Sequence, residues 1–363
     1  SLSLSLSLSL SLSLFLSLSL SLSRSLQLSS ICHSLLHKMS GQGDSNPSPK
    51  FSGRTSSDEI VAGVDLSGKT IVITGTTNGI GTETAKALAA AGAHVVMLNR
   101  NIVLAQQLKQ DILQQVPNAK IDLVTVDLSS LQSVQAAAKE ILNKEWKIYC
   151  LVLNAGLMKA EPRVSIDNLE TTFAVNHLAG FYLLQLLLPR LRENAPSRVV
   201  LVSSSSHSHT GLRLSDPLDA RLAQLCPEGD STDNFYRLYA YSKLCNVLSS
   251  FKLHREENSN GIETFVLHPG AMIPTNISHN FNVLRHVFTF FTRPFTKTLK
   301  QGAATTVLCA ASPTVEGKSG LYWQDCRVAE NALQTELARD EALQDGLWDL
   351  SQSLIAKYEA SRQ

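Results

Sequence analysis

The chain has 363 residues, of which 44% are hydrophobic and 17% are charged, and its formal net charge is +1. These values are typical of a globular protein, and the scattered basic residues predict no nucleic-acid partner, for which a basic stripe would be expected. The six cysteines include no C-x-x-C pair and several lie in apolar runs, which predicts buried reduced thiols, a reducing compartment and no structural zinc.

The first 23 residues form a low-complexity repeat in which Ser and Leu alternate, interrupted only by Phe15. A secretory signal or a membrane helix needs an unbroken apolar run, so the alternation favours neither, and we expect no transmembrane segment. Residues 1–38 are interpreted as an untranslated or mispredicted leader, and we expect the natural product to start at the first methionine, Met39. Residues 39–66 begin with a stretch rich in Ser, Gly and Pro and are expected to be a flexible lead-in.

From residue 69 onward, short apolar runs alternate with longer helical stretches. The predicted strands cover residues 70–74, 93–98, 121–126, 148–154, 199–202 and 263–267. Strands that alternate with helices in this way are typical of βαβ units. The predicted fold class is therefore α/β: a single doubly wound, Rossmann-type parallel sheet with helices on both faces.

The end of the chain shows a separate helical pattern. Leu343, Leu347, Leu350 and Leu354 recur at helical spacing around Trp348. Because these side chains fall on one helix face, they predict a closing helix that packs on the body of the domain.

A glycine-rich loop follows the first predicted strand and opens the first helix, with the sequence TGTTNGIG over residues 74–81. In a dinucleotide-binding turn, the first glycine permits the turn and the second admits a pyrophosphate. The third lets the helix pack on the strand, while the helix N-terminus offers free N–H groups. We therefore expect a dinucleotide cofactor, held by Gly75, Thr76, Asn78, Gly79, Ile80 and Gly81.

The end of the second predicted strand indicates which dinucleotide is used. An NAD site places a carboxylate here to bind the ribose 2′-hydroxyl, but the chain reads Leu98-Asn99-Arg100-Asn101 and offers no acid. A guanidinium pairs well with a 2′-phosphate, so Arg100 favours NADP(H) over NAD. The alternative is an arginine that is simply solvated at the surface.

Tyr239 is followed four residues later by Lys243, inside an apolar run that predicts a helix. Positions i and i+4 lie on one helix face, so the ammonium can stand beside the phenol. A neighbouring cation favours phenolate, which is expected to lower the pKa of Tyr239 toward the range of a working acid–base catalyst. The pair alone is a weak signal, because chains of this composition contain such pairs by chance.

The order of these motifs resembles the short-chain dehydrogenase/reductase family over roughly residues 65–325. The glycine loop, the YxxxK pair and Asn154-Ala155-Gly156 after the fourth strand stand where that family has them. The resemblance implies a catalytic group made of Tyr239, Lys243, Ser204 and Asn176. It also implies further cofactor contacts, which come from Asp127, Leu128, Asn154, Ala155, Gly156, Tyr239, Lys243, Pro269 and Gly270.

The mechanism that the resemblance implies is a hydride transfer between the nicotinamide of NADP(H) and a carbonyl or alcohol carbon, with Tyr239 donating or taking the proton. Lys243 would lower the Tyr239 pKa and bond the nicotinamide ribose. Ser204 would polarise the carbonyl, and Asn176 would hold a water that links Lys243 to solvent. The assignment of Ser204 stays open at this point, because serines stand on both sides of it.

Longer stretches such as TTFAVNHLAGFYLLQLL resemble the branch of the family that carries WW domains. The next strongest resemblance is to the retinol dehydrogenases. A WW module needs two suitably spaced tryptophans, whereas Trp146, Trp323 and Trp348 all lie within or after the dehydrogenase region. We therefore expect no WW-mediated Pro-rich partner. The predicted domain covers residues 67–325, and a helical extension covers residues 326–363. A possible homodimer and a cytoplasmic location, with mitochondrial or nuclear pools, are further expectations.

Two features leave alternatives open. Residues 281–295 are rich in Phe and stand where the family has a substrate lid, which favours a lipophilic, retinoid- or steroid-like substrate; a packed helix or a membrane-surface contact are the alternatives. His207, His209 and His268 have no acidic or cysteine partner at ligand spacing, so no metal site is predicted. The main prediction is an NADP-dependent oxidoreductase, and the alternative is a protein of the same fold that works mainly through protein–protein contacts with little turnover.

Overall fold

The computed structural model of the protein describes residues 51–158, 161, 163–227, 229–270 and 297–361. The predicted leader at residues 1–38 and the aromatic segment at residues 281–295 lie outside the described residues. All the described residues belong to the unit Lys50–Gln363.

The described part of the chain contains eight strands that form one sheet. They are β1 (Thr70–Thr74), β2 (His94–Asn99), β3 (Lys120–Thr125), β4 (Ile148–Leu153), β5 (Ser197–Val202), β6 (Ile262–His268), β7 (Leu321–Gln324) and β8 (Arg327–Val328). Their order is β3-β2-β1-β4-β5-β6-β7-β8, and every neighbouring pair is parallel except β7 and β8. The predicted doubly wound α/β fold is confirmed.

Helices connect the strands and follow them. They are α1 (Ser57–Val61), α2 (Gly79–Ala90), α3 (Ile102–Gln115), α4 (Leu131–Asn143), α5 (Thr171–Glu193), α6 (Leu218–Leu225), α7 (Phe235–Glu257), α8 (Leu299–Ala311), α9 (Thr335–Ala338) and α10 (Glu341–Ala360). Several begin at a polar residue whose side chain accepts a hydrogen bond from the first turn, as Asn101, Ser130 and Asn234 do for α3, α4 and α7. Such caps explain why these helices start where they do.

Each face of the sheet is covered by its own apolar core, and β1 contributes to both. Val72 packs into the core that includes α4, α5, α7 and α10, whereas Ile71 and Ile73 pack into the core that includes α1, α2, α3 and α8. Successive side chains of a strand point to opposite faces, so a central strand covered on both sides must be apolar throughout. This accounts for the fully buried β-branched sequence TIVIT of β1.

The strands β7 and β8 are absent from the sequence prediction. β7 pairs in parallel with β6, and β8 returns antiparallel at the edge. They are four and two residues long, which is too short to show a clear periodicity.

The predicted flexible lead-in also differs from the structure, since α1 lies within it. The Ser56 side chain accepts a hydrogen bond from the Glu59 amide, and the Glu59 carboxylate accepts one from the Ser56 amide at 2.7 Å. This capping box, together with the burial of Ile60, stabilises a single helical turn against the body.

Among the described residues, one helix is long and apolar enough to cross a membrane, namely α5, with a mean hydropathy of 1.3. In the structure, 78% of this stretch is buried inside the fold, as in the core helix of a globular domain. The helix contains a π-helical turn at Ala174–Leu178, a feature that often occurs near functional sites.

Candidate active site

A cleft of about 940 Å³ opens at the carboxyl ends of strands β1 to β6. The sheet order changes direction between β1 and β4, and open α/β sheets bind their ligands at this point. All the site residues predicted from the sequence line this cleft except Thr76, Gly81 and Asn176. The lining residues among them are Gly75, Asn78, Gly79, Ile80, Arg100, Asp127, Leu128, Asn154, Ala155, Gly156, Ser204, Tyr239, Lys243, Pro269 and Gly270.

The glycine loop leaves no room for side chains at two of its glycines. Gly75 has a φ of +72°, and a Cβ there would stand 3.0 Å from Ala155. A Cβ on Gly81 would stand 2.1 Å from the Gly75 carbonyl oxygen and 2.6 Å from Nδ2 of Asn154. Gly81 therefore does not face the cleft; it lets α2 approach the loop and the end of β4.

Thr76, one of the predicted cofactor contacts, has a side chain that is bonded to the protein itself. Its side chain is buried and does not line the cleft, because it bonds Asn99 at the end of β2. Asn99 Oδ1 accepts hydrogen bonds from the amides of Thr76 at 2.8 Å and Thr77 at 3.2 Å, and its Nδ2 donates to Thr76 Oγ1 at 2.8 Å. The Asn99 side chain thus holds the glycine loop in place, a role that the sequence prediction does not include.

The start of α2 is suited to bind an anion. Asn78 stands at the cap position, and its side chain makes no hydrogen bond to the first amides of the helix. The amides at this helix N-terminus therefore point into the cleft region without a capping side chain, and the helix dipole adds positive potential. A pyrophosphate fits this cradle of glycines and amides.

The segment after β4 is held rigidly against β1. Asn154 Nδ2 donates to the carbonyls of Thr74 at 2.9 Å and Gly75 at 3.0 Å, while Thr74 Oγ1 accepts from the Ala155 amide at 3.1 Å. Oδ1 of Asn154 is buried and has no hydrogen-bond partner among the described residues. A buried acceptor without a partner at the wall of the cleft is consistent with a ligand that supplies the missing donor.

Tyr239 and Lys243 stand one turn apart on α7, and Lys243 Nζ lies 5.5 Å from the centre of the Tyr239 ring. Lys243 Nζ donates to the carbonyl oxygen of Val202 at 3.0 Å, and burial lowers the pKa of Lys243 to about 8. That Lys243 lowers the pKa of Tyr239 stays a prediction. In the structure, burial raises the pKa of Tyr239, and the Ser204 side chain opposes that rise.

The three neighbouring serines after β5 have different environments. Ser203 is buried and its Oγ donates to the Lys243 carbonyl at 2.8 Å, so it ties β5 to α7. Ser205 is exposed and starts a short 3-10 turn. Ser204 is half-buried and its Oγ donates to Ser206 Oγ at 3.2 Å. It is the serine whose side chain opposes the rise that burial causes in the pKa of Tyr239, which favours it over its neighbours as a substrate-binding group.

Asn176 lies in the π-helical turn of α5, and its side chain is engaged with protein groups. Oδ1 accepts from the Leu157 amide at 2.8 Å, and Nδ2 donates to the Leu157 carbonyl at 2.8 Å and to Ser242 Oγ at 2.9 Å. Asn176 therefore holds the segment after β4 beside α7 and does not itself line the cleft. Its role in holding a water that links Lys243 to solvent stays a prediction. A Cβ on Gly156 would stand 3.1 Å from Lys243 Nζ, which shows how closely this segment approaches the lysine.

The residues that follow β2, β3 and β6 complete the walls of the cleft. Arg100 is exposed at the rim beyond β2, and Asp127 after β3 accepts from the Ser129 amide at 2.9 Å. Beyond β6, Lys297 Nζ donates to the Pro269 carbonyl at 3.4 Å and pairs with Asp325 at 2.5 Å. This ion pair anchors the loop that carries Pro269 and Gly270.

Comparisons with known proteins agree with this site. A model of the short chain dehydrogenase family matches residues 69–214. The chain is 42% identical over 309 residues to the WW domain-containing oxidoreductase of Gallus gallus, an alignment that covers 84% of this chain and 72% of the relative. It is 35% identical over 292 residues to Retinol dehydrogenase 12 of Bos taurus, covering 80% of this chain and 88% of the relative.

This chain belongs to the short-chain dehydrogenase/reductase family. A solved structure from Beutenbergia cavernae, described as a putative NAD(P) dependent gluconate 5-dehydrogenase with bound NADP at low occupancy, shares the fold with a TM-score of 0.56 at 21% identity. That alignment covers 71% of this chain and 95% of the other. Membership in the family makes the protein an oxidoreductase whose fold binds NAD(P), and the cradle of glycines and amides described above fits that cofactor.

Of the histidines near the site of this dehydrogenase, His207 and His209 have structural partners, whereas Nδ1 of His268 is buried and has none among the described residues. His207 is buried behind Ser204, and His209 bonds the Tyr236 hydroxyl at 2.7 Å near the surface. His268 lines the cleft, and burial lowers its pKa to about 4. Within residues 51–158, 161, 163–227, 229–270 and 297–361, no group of three His, Cys, Asp or Glu side chains is arranged to hold a metal ion.

Proposed function

We propose that this protein is an NADP-dependent oxidoreductase that interconverts a lipophilic carbonyl compound and the corresponding alcohol. The observation that carries the proposal is the convergence of Ser204, Tyr239 and Lys243 on one side of the cleft that also contains the glycine loop. Ser204 and Tyr239 line the same cleft, and the Ser204 side chain opposes the rise that burial causes in the pKa of Tyr239, so one substrate oxygen can meet both hydroxyls.

The roles of the side chains follow from their chemistry. When bound, the nicotinamide supplies a hydride to the carbonyl carbon or takes one from the alcohol carbon. In the reducing direction, Ser204 donates a hydrogen bond to the carbonyl oxygen, and Tyr239 gives that oxygen its proton. Lys243, whose pKa of about 8 lies near neutrality, can then return a proton to the phenolate of Tyr239. Asn176 acts through Leu157 and Ser242 by fixing the segment beside Lys243.

The preference for NADP rests on Arg100. The carboxyl end of β2 carries Asn99, whose side chain is occupied by the glycine loop, and Arg100, which is exposed at the rim of the cleft. No carboxylate stands at this strand end to bind a ribose 2′-hydroxyl. A guanidinium at this place can pair with a 2′-phosphate through two parallel hydrogen bonds.

The cofactor preference is tested by titrating the protein with NADP and with NAD. We expect Arg100→Ala to weaken the binding of NADP by about 10- to 100-fold, the size of a lost charge-assisted hydrogen bond, while NAD binding stays close to that of the wild type. Arg213→Ala is the matched control, because Arg213 is an exposed arginine that does not line the cleft. Tighter binding of NAD than of NADP by the unmodified protein would reject the preference.

The lipophilic substrate is supported by the walls of the cleft and by the relatives. Leu157, Met158 and Val175 line the same cleft as Tyr239, and Leu157 follows the glycine that approaches Lys243. Among the relatives, Retinol dehydrogenase 12 of Bos taurus is named for a lipophilic alcohol. We therefore propose a retinoid- or steroid-like carbonyl or alcohol as the substrate class.

Tyr239→Phe tests the proposed catalysis. With a panel of retinoid, steroid and short aldehyde substrates, we expect kcat to fall by about 10²- to 10⁴-fold, because the ring is retained and only the proton donor is lost. The Kd for NADP should change little. Tyr236→Phe is the control, since Tyr236 lies one turn earlier on α7 and its hydroxyl faces His209.

Undiminished turnover in Tyr239→Phe would contradict the proposed mechanism. A protein without turnover toward the whole panel, whose cellular effect is the same with Tyr239→Phe, would instead support the alternative of a protein acting through protein–protein contacts.

A further inference from the structure

We infer that His207 is a positioning residue for Ser204, and that it links this serine to the C-terminal part of the chain. The inference rests on the proposed function, in which Ser204 donates a hydrogen bond to the substrate oxygen. His207 lies three residues after Ser204, in the short 3-10 turn Ser205–His209, and its side chain is 0% exposed. It does not line the cleft, so it acts on the site only through other residues.

The two ring nitrogens of His207 have partners of opposite kind. Nδ1 lies 2.6 Å from the carbonyl oxygen of Ser204, and Nε2 lies 3.2 Å from the backbone amide of Gln334. A carbonyl oxygen only accepts and a peptide N–H only donates, so the proton is on Nδ1 and Nε2 is the acceptor. Burial lowers the pKa of His207 and keeps the ring in the neutral form that satisfies both partners.

The contact with Ser204 restrains the serine from two directions. The Ser204 carbonyl accepts the His207 ring N–H and also the His207 backbone amide, the latter at 3.1 Å. On the side-chain side, Ser204 Oγ accepts from the Ser206 amide at 3.1 Å. The Ser204 hydroxyl also donates to Ser206 Oγ at 3.2 Å. Since these bonds hold the peptide plane after Ser204, its side chain keeps its place at the wall of the cleft that Tyr239 also lines. Catalytic groups need such support to remain within a fraction of an ångström of the productive geometry.

The far side of the histidine belongs to segments that come much later in the chain. Gln334 lies just before α9. The Tyr322 ring of β7 packs against the His207 ring at an interplanar angle of 55°, and its hydroxyl lies 3.5 Å from Nδ1. The Tyr322 amide donates to the Glu330 carboxylate at 2.7 Å, which fixes the stretch leading to Gln334. The position of Ser204 therefore depends on the order of residues 322–334.

Two substitutions separate the two hydrogen bonds of the ring. An asparagine side-chain amide reaches the place of Nδ1, and a glutamine amide reaches the place of Nε2. His207→Asn keeps a donor for the Ser204 carbonyl, and we expect it to retain most of kcat. His207→Gln keeps an acceptor for the Gln334 amide but loses the bond to Ser204, and we expect its kcat to fall about tenfold or more, with KM and the Kd for NADP near the wild-type values.

A purely structural role predicts a different result. Each variant loses one of the two hydrogen bonds, so both should show similar unfolding midpoints and, if stability alone matters, similar kcat values. Equal kcat in the two variants, or a lower kcat in His207→Asn than in His207→Gln, would overturn the inference.

A second measurement does not depend on turnover. The ionisation of Tyr239 can be followed by phenolate absorbance, as the difference between each His207 variant and the same variant carrying Tyr239→Phe. Because the Ser204 side chain opposes the rise that burial causes in the pKa of Tyr239, this pKa should be higher in His207→Gln than in His207→Asn. If the wild type turns over no carbonyl or alcohol substrate, the proposed function fails, but this titration still tests the role of His207. Equal Tyr239 pKa values in the two variants would overturn the inference that His207 positions Ser204.

Discussion

Lys243 is a cationic side chain that the fold buries almost completely, leaving 3% of it exposed. Its Nζ donates to the Val202 carbonyl, and no carboxylate within the described segments forms an ion pair with it. Burial without a counter-ion disfavours the charged form, which lowers the pKa from the ordinary 10.5 to about 8. A group that weakens the fold in this way is commonly retained for function.

The destabilisation that results from burying the charge of Lys243 should depend on pH. Below pH 8, Lys243 is charged in both the folded and the unfolded chain. The folded state then bears the full penalty for burying the charge, about 3 kcal/mol. This penalty disappears as the pH rises toward 10.5. We therefore expect Lys243→Met to raise the free energy of unfolding at pH 7 and to lose most of this advantage near pH 10, while turnover is abolished. Val202 keeps a hydrogen bond from Asn246 Nδ2 at 3.4 Å in this variant.

Denaturant unfolding at the two pH values measures the effect. Lys252→Met is the control on the same helix, because Lys252 pairs with Glu256 at 2.7 Å and with Asp345 at 3.0 Å, and these bonds raise its pKa. The control should lose a little stability instead of gaining it. A Lys243→Met protein less stable than the wild type at pH 7 would contradict this account.

At the level of elements, the cofactor cradle depends on how closely α2 approaches β1 and β4. The Gly75 carbonyl and the Asn154 amide occupy the space where a side chain on Gly81 would be. Gly180 of α5 offers a comparison, since a Cβ there would meet only the Leu153 side chain, at an ordinary contact distance of 3.5 Å.

Gly81→Ala and Gly180→Ala should therefore behave differently. We expect Gly81→Ala to shift the loop, to lower the free energy of unfolding by about 1–3 kcal/mol and to weaken NADP binding by about tenfold or more. Gly180→Ala should keep NADP binding and change stability by less than about 1 kcal/mol, because alanine is the better helix former. Isothermal titration with NADP and chemical denaturation of both variants provide the measurement. An equal loss of NADP binding in the two variants would contradict the proposal that the cofactor cradle depends on the close approach of α2.

At the level of the whole molecule, the closing helix α10 packs into the same core as the helices that carry the site. Leu343 and Leu347 are fully buried, and Trp348 makes an edge-to-face contact with Phe181 of α5 at 4.8 Å between ring centres. Ser351 Oγ lies 3.0 Å from Nε2 of His177, the residue next to Asn176. The predicted docking of this helix is confirmed, and its contacts reach the residues beside the catalytic group.

Shortening a buried side chain of α10 should lower the stability of the whole domain. Leu347→Ala is expected to lower the free energy of unfolding by about 2–5 kcal/mol in a single transition, since it leaves a cavity in a core shared with α5 and α7. Leu350→Ala, at a half-buried position of the same helix, should have a smaller effect. Unfolding followed by both tryptophan fluorescence and circular dichroism tests this; a separate early transition for α10 would show that the helix is an independent appendage.

Local periodicity was enough for much of the fold and of the site. The β-branched run of β1, the order of strands and helices, and the closing helix follow from hydrophobic patterns, which depend only on near neighbours in sequence. The short strands β7 and β8 exist because β6 offers an edge for pairing, which no local pattern records. The capping box that forms α1 is readable in the sequence as Ser56 and Glu59, although a short segment of this kind also needs Ile60 buried against the body.

The sequence by itself determined the chemistry that is available: a phenol and an ammonium one helical turn apart, a glycine loop after a strand, and an arginine at the end of β2. Such i,i+4 and strand–loop–helix relations are set by backbone geometry alone. Only the tertiary structure decided that Ser204 and not Ser203 faces Tyr239, and that Asn99 holds the glycine loop. It also decided that Tyr239 is largely buried, which raises the pKa of its phenol. Burial and hydrogen-bond partners depend on groups far apart in the chain, and these meet only when the two faces of the sheet are covered.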